Sequence, residues 1–121
     1  MQVSLEDRNI ELVKRLFDSA RRLDAEAIDE LFTAEFVMVS NDVEWNFQQF
    51  KDYHVESYKT RKAIDVSYGD IFCKDNKVSA RVTISLRDQD DATKEFKVIL
   101  IAHVSNDRID RLWEVTFPHW K

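Results

Sequence analysis

Glycine occurs once in the chain, at Gly69, and proline once, at Pro118. A single glycine cannot build the glycine-rich loops that cradle phosphates. The P-loop, the dinucleotide fingerprint and the G-x-S-x-G nucleophile elbow are therefore all excluded. Cysteine also occurs once, at Cys73, which rules out an intramolecular disulfide and a cysteine cluster for zinc. There is no H-E-x-x-H motif, and His54, His103 and His119 show no close metal-ligand spacing, so no metal site is expected. No apolar stretch approaches the length that crosses a bilayer. The opening MQVSLEDRNI lacks the basic region and apolar core of a signal peptide, so cytoplasm is the expected location. Basic residues are in deficit: 18 Lys and Arg stand against 23 Asp and Glu, for a net charge of −5. Phosphate binding wants a clustered basic excess, so nucleic acid is not an expected partner. The densest basic spot, KTRK at 59–62, reads as the solvated end of a helix, where it also favours the dipole.

What remains is an ordinary globular composition. The 121 residues, 44% hydrophobic and 34% charged, fit one domain over 1–121 with one core. Aromatic mass is concentrated at the end, where IDRLWEVTFPHWK (109–121) holds two of the three tryptophans.

Period and punctuation give the order of elements. Ser4 reads as a helix N-cap, and Ile10, Val13, Leu16, Phe17 and Ala20 recur at helical spacing, predicting a helix from Leu5 to Leu23. Asp24 is expected to cap a second, shorter helix carrying Ile28, Leu31 and Phe32. Phe36 to Val39 reads as a short strand, followed by a turn at Ser40-Asn41-Asp42. Trp45 and Phe47 alternate with polar residues in a second short strand or pocket-edge loop. From Gln48 to Arg61 the pattern is helical again, with Phe50, His54 and Tyr58 near one face and Tyr53 at its border. Beyond that the period becomes two. Four strands are predicted at 65–74, 77–88, 94–104 and 108–118, with tight turns at Asp75-Asn76 and Asn106-Asp107.

The turns place Cys73 opposite Val78 and Val104 opposite Ile109. One sheet face then holds Gly69, Ile71, Cys73, the apolar alternation of 78–86 and 98–104, and Ile109, Trp113, Val115 and Phe117. That face is expected to lie under the helices. The other holds Tyr68, Asp70, Phe72, Arg81, Ile99, Ile101, His103, Leu112, Glu114 and Thr116. It is too apolar for free solvation, so a second subunit is expected against it. A one-residue slip would exchange the two faces.

The order of helix, short helix, strand, third helix and long-stranded sheet resembles the NTF2-like superfamily, in particular its SnoaL-like, polyketide-cyclase-like and ketosteroid-isomerase-like branch. The residues that carry the likeness are ELVKRLFDSARRLDAEAIDELFTAEFVMVS and the closing hairpin SNDRIDRLWEV. The resemblance covers most of the chain. It implies an α+β cone, with three N-terminal helices packed on a curved antiparallel sheet, a small-molecule pocket between the layers, and a homodimer built through the sheet. It does not settle function, because such members include isomerases, cyclases, dehydratases and non-catalytic binders. Ketosteroid-isomerase-like members use a tyrosine on the first helix and an aspartate on the first strand. The matching positions here are Leu16 and Ser40, and neither does that chemistry.

The candidate site residues each carry two readings. Asp42 is a general base at the pocket mouth or a turn aspartate bonding its own backbone. His54 is a proton shuttle or a satisfied core histidine. Trp45, Tyr58 and Trp113 are candidates for a ligand wall, Trp113 being pocket floor or plain core, while Trp120 is placed across the mouth. His103 with Glu114 is a dyad or a polar pair, Asp70 with Arg81 is a cross-strand ion pair, His119 decorates the end, and Cys73 is packing. The expectation is a binder of a small apolar or aromatic molecule. As an enzyme it would be a cofactor-free isomerase, cyclase or dehydratase, with His54 or Asp42 moving the proton. The alternative is a non-catalytic homodimeric binding or assembly module.

Overall fold

The computed structural model describes residues 4–118, so His119 and Trp120 lie outside the described residues. Helix α1 spans Leu5–Arg21, and Ser4 caps it by accepting from the Asp7 amide at 3.0 Å. The second helical segment differs from expectation. A three-residue 3₁₀ turn, Ala25–Ala27, runs into a single turn α2, Ile28–Leu31, and Asp24 makes no side-chain cap bond. Helix α3, Phe47–Thr60, follows two strands, so it is not N-terminal. A reciprocal capping box between Asn46 and Gln49 fixes its start.

The strands are β1 (Phe32–Ser40), β2 (Val43–Asn46), β3 (Arg61–Lys74), β4 (Lys77–Asp88), β5 (Thr93–Ser105) and β6 (Arg108–Phe117). They form one sheet in the order β2-β1-β6-β5-β4-β3. The sheet is not wholly antiparallel, because β1 and β6 pair in parallel. The fold is therefore α+β, with helices over one face of a six-stranded mixed sheet. The core is built from Leu12, Val13 and Phe17 of α1, Ile28 and Leu31 of α2, Phe50 of α3, and the inward residues of all strands but β2.

The turn residues set the predicted registers. Asp75, Asn106 and Asp107 have positive φ, and Cys73 faces Val78 while Val104 faces Ile109. The predicted faces, however, hold only part of the way. Val104 pairs with Ile109 but His103 pairs with Arg111, so Asp110 is an extra residue in β6. This bulge turns the rest of the strand over. Leu112, Glu114 and Thr116 point to the helices, while Trp113, Val115 and Phe117 lie on the outer face at 39%, 62% and 73% exposure. A second irregularity, at Gly69-Asp70, brings Tyr68 to the helical side, where its ring meets Phe17 edge-on and its hydroxyl donates to the Lys14 carbonyl at 3.3 Å.

The KTRK run is divided between elements and becomes separate ion pairs: Lys59 with Glu56, Arg61 with Asp88, and Lys62 with Asp91. No described helix is long and apolar enough to cross a membrane.

Candidate functional site

Between α1, α3 and the inner sheet face lies a cavity of about 120 Å³. Most of its wall is apolar: Leu16, Phe17, Met38, Phe50, Ile64, Ile84, Leu86 and Leu112. Polar groups enter from two sides. Helix α3 and the start of β3 supply Tyr53, His54, Ser57, Tyr58 and Arg61, and the sheet supplies Ser40 and Glu114. An apolar enclosure with a few convergent polar groups is the usual form of a small-molecule site.

The α3 side chains converge because of helical period, since residues three and four apart share a face. They form a continuous run of ring contacts. Phe50 meets His54 at 4.2 Å, His54 meets Tyr58 at 5.6 Å and Tyr53 at 5.3 Å, and Tyr53 meets Trp45 at 5.5 Å, centroid to centroid. The Phe50 carbonyl accepts from His54 Nδ1 at 2.8 Å. A carbonyl only accepts, so Nδ1 carries the proton and Nε2 holds the lone pair. Burial pushes the His54 pKa below its ordinary value, against the opposing pull of the Phe50 bond, so the ring is neutral at neutral pH.

The two tyrosines are shifted upward, first by burial. At Tyr53 the Arg61 charge opposes that rise and the Glu114 charge adds to it; at Tyr58 the Asp24 charge adds to it. Both phenols are therefore protonated donors across the working pH range.

On the sheet side, Ser40 and Glu114 are partners in the parallel β1–β6 pair, and the Ser40 hydroxyl donates to Glu114 Oε1 at 2.9 Å. Arg61 is held by Asp88, and its Nε is buried without an acceptor among the described residues.

Of the residues expected at the site, His54, Trp45 and Tyr58 line this cavity together. Asp42 does not. It is an exposed turn residue with φ 69°, joining β1 to β2, and the carboxylate of the cavity comes from β6 instead. Trp113 does not either: the Asp110 bulge sends it to the outer face, where it pairs with Ile101 and the Arg111 guanidinium stacks 5.8 Å from its ring. The same bulge parts His103 from Glu114. His103 bonds Asp110 and Asn76 near the β5–β6 turn, far in register from the cavity. Asp70 and Arg81 do form the expected pair, at 3.4 Å on the exposed surface. Leu16 and Ser40, the positions singled out by the resemblance, both line the cavity.

Sequence reasoning placed Glu114 on the outer face, beside His103, and missed Arg61 as a site residue. For Glu114 the signal was present: Leu112, Glu114 and Thr116 alternate as well as Trp113, Val115 and Phe117 do. For Arg61, inside a basic run at a helix end, nothing in the sequence distinguishes it from a solvated charge. Among the described residues no group of three His, Cys, Asp or Glu is placed to hold a metal ion.

No protein-family model and no curated protein sequence matches the chain. Solved structures do. An LEH-like epoxide hydrolase of M. tuberculosis superposes with a TM-score of 0.82 at 13% identity, over 93% of this chain and 85% of its own. A Jannaschia sp. CCS1 protein described as a SnoaL-like polyketide cyclase gives 0.77 at 12% identity, over 97% and 90%. A Catenulispora acidiphila DSM 44928 protein of ketosteroid-isomerase-like fold, solved in complex with trimethylamine, gives 0.73 at 10% identity, over 86% and 83%. At these identities the likeness is one of architecture, and the architecture is plain: the chain has the NTF2-like fold.

Proposed function

We propose that the chain binds a small, largely apolar or aromatic molecule in the cavity under α1 and α3 and, as an enzyme, moves a proton on it without a cofactor. Isomerisation, cyclisation and dehydration are the reactions of this class. The observation that supports the reading is that a carboxylate, Glu114, and a neutral imidazole, His54, border one apolar space from opposite layers. Glu114, steadied by Ser40, is the proton acceptor, and His54 Nε2 is the second basic atom. Tyr53 and Tyr58 donate to a developing oxyanion, and Trp45 with Phe50 holds the apolar body of the ligand.

The test begins with native mass spectrometry of purified protein, followed by release of any retained molecule. Solvent-deuterium incorporation into a panel of small cyclic ketones is then followed by NMR. Catalysis predicts exchange that falls about 10²- to 10⁴-fold in Glu114→Gln. Exchange indifferent to both Glu114→Gln and His54→Gln overturns the assignment.

A second reading rests on a different observation. Phe72, Ile99, Ile101, Trp113, Val115 and Phe117 are exposed together on the outer sheet face, through the registers Ile99–Val115 and Ile101–Trp113. This supports a homodimer through the sheet, serving binding or assembly. Light scattering that gives a monomer at micromolar concentration overturns it.

A further inference from the structure

Helix α3 brings hydrogen-bond donors and an acceptor to the cavity in a definite arrangement. His54 Nδ1 donates to the Phe50 carbonyl at 2.8 Å, which leaves the lone pair on Nε2. Burial keeps the ring neutral, so that lone pair is a standing acceptor. Among the described residues, the side-chain atoms that are both sealed in and unpartnered are Thr33 Oγ1, Arg61 Nε and Thr116 Oγ1. His54 Nε2 has no partner among the described residues and is not one of these, so it opens on the cavity that its ring lines. Tyr53 and Tyr58 line the same space, and their rings stand 5.3 and 5.6 Å from that of His54. Their hydroxyls have no acceptor among the described residues, and both phenols keep their protons.

A lone pair flanked by two phenol donors suits a ligand group that gives one hydrogen and takes another. A hydroxyl does both. A carbonyl, ether or carboxylate oxygen accepts from the tyrosines but leaves Nε2 without a donor. A ligand group that displaces water from a buried acceptor without replacing its hydrogen bond loses affinity. The rest of the wall is apolar, and a cavity of about 120 Å³ is of the order that holds one six-membered ring.

We propose that the cavity selects a single-ring alcohol or phenol by its hydroxyl group, which donates to His54 Nε2 and accepts from Tyr53 or Tyr58. This rests on the reading of the cavity as a ligand site and names the group by which the ligand is recognised. The ring lies against Phe50 and the aliphatic part of the wall, where Leu16, Ile84 and Leu112 meet it. His54 is then a specificity-determining residue, and it discriminates through the hydrogen that a ligand does or does not offer.

Benzyl alcohol, benzaldehyde and ethylbenzene test it. They share one ring and the same number of heavy atoms, and differ in ending on a hydroxyl, a carbonyl oxygen or a methyl group. Affinities are read from amide shifts of the intact chain by two-dimensional NMR. Benzyl alcohol is expected to bind about tenfold more tightly than benzaldehyde. It is also expected to bind more tightly than ethylbenzene, although the ethyl group gains most from leaving water. His54→Phe keeps a ring in place and removes the acceptor, and is expected to lower the alcohol-to-aldehyde affinity ratio about tenfold. The wild-type series needs no variant to fold. If benzaldehyde or ethylbenzene binds as tightly as the alcohol, the hydroxyl inference fails while the ligand site stands. If the alcohol binds best but the ratio survives His54→Phe, the acceptor is elsewhere on the wall and the assignment to His54 fails. If none of the three shifts residues of the cavity, both the inference and the reading beneath it are overturned.

Discussion

The hydroxyl of Ser40 donates to Glu114 Oε1 across the parallel β1–β6 pair at 2.9 Å. Ser40 is itself buried, so this bond fixes a carboxylate orientation inside the fold. Removing it by Ser40→Ala is expected to destabilise the protein by about 1–2 kcal/mol, since the bond has a charged acceptor. Ligand affinity should fall with it. The urea midpoint and a binding titration measure the two effects separately.

His54 gives the protein an acid limit. Its folded pKa lies below the unfolded value of about 6.5 because burial disfavours the charged ring. Between those two values the unfolded chain binds more protons than the folded one. Stability contributed by the neutral ring is therefore complete above about pH 6.5 and is lost as pH falls towards the folded pKa. The slope in that window is at most about 1.4 kcal/mol per pH unit. His54→Gln should flatten it, as followed by denaturant unfolding at a series of pH values.

Two neighbours in β6 should respond oppositely to truncation. Leu112→Ala empties a buried site and is expected to cost about 2–5 kcal/mol. Trp113→Ala, on the outer face, should leave the unfolding free energy within about 1 kcal/mol when measured on dilute protein. The reverse result would place the register one residue away.

The outer face should govern self-association. Val115→Asp and Ile99→Asp each put a charge at the centre of the exposed apolar patch. Each is expected to shift the protein from dimer to monomer in sedimentation velocity while leaving the far-ultraviolet circular dichroism unchanged.

The ion pairs also separate by burial. Asp88→Ala leaves Arg61 with both Nη1 and Nε unmatched in a largely buried position, and should cost about 2–4 kcal/mol. Asp70→Ala breaks a pair open to solvent on both sides and should cost less than about 1 kcal/mol. Parallel denaturation curves decide.

Much of this architecture is legible in the residues. The polar turn pairs Asp75-Asn76 and Asn106-Asp107 fix where strands reverse, and helical spacing brings His54 and Tyr58 of α3 to the space that Trp45 of β2 borders. What the residues hide is the bulge. Alternation reveals a face only when its opposite is polar, and here both are apolar: Leu112 competes with Trp113, Val115 and Phe117. The heavier set was read as core, and an inserted Asp110 defeats that inference without changing the pattern. The same slip put Glu114 on the outer face with His103 and admitted Trp113 to the site. Asp42 failed for another reason. Its left-handed backbone serves a tight β1–β2 turn, which sends the side chain into solvent.

The parallel pairing of β1 with β6 has a consequence for the chain as it is made. Ser40 and Glu114 stand 74 residues apart, and β6 is the strand that joins the β1–β2 hairpin to the rest of the sheet. On the ribosome, β1 must wait with an open edge while β3, β4 and β5 are synthesised and zip together by local turns. The nascent chain thus carries an apolar strand paired only with β2, its other edge open, while three further strands are made, the period in which edge-to-edge association with other chains is most dangerous. Neither the cavity nor its carboxylate exists until the last strand is inserted between the two halves. A slow, late step that completes sheet and site together is the kinetic signature of this topology.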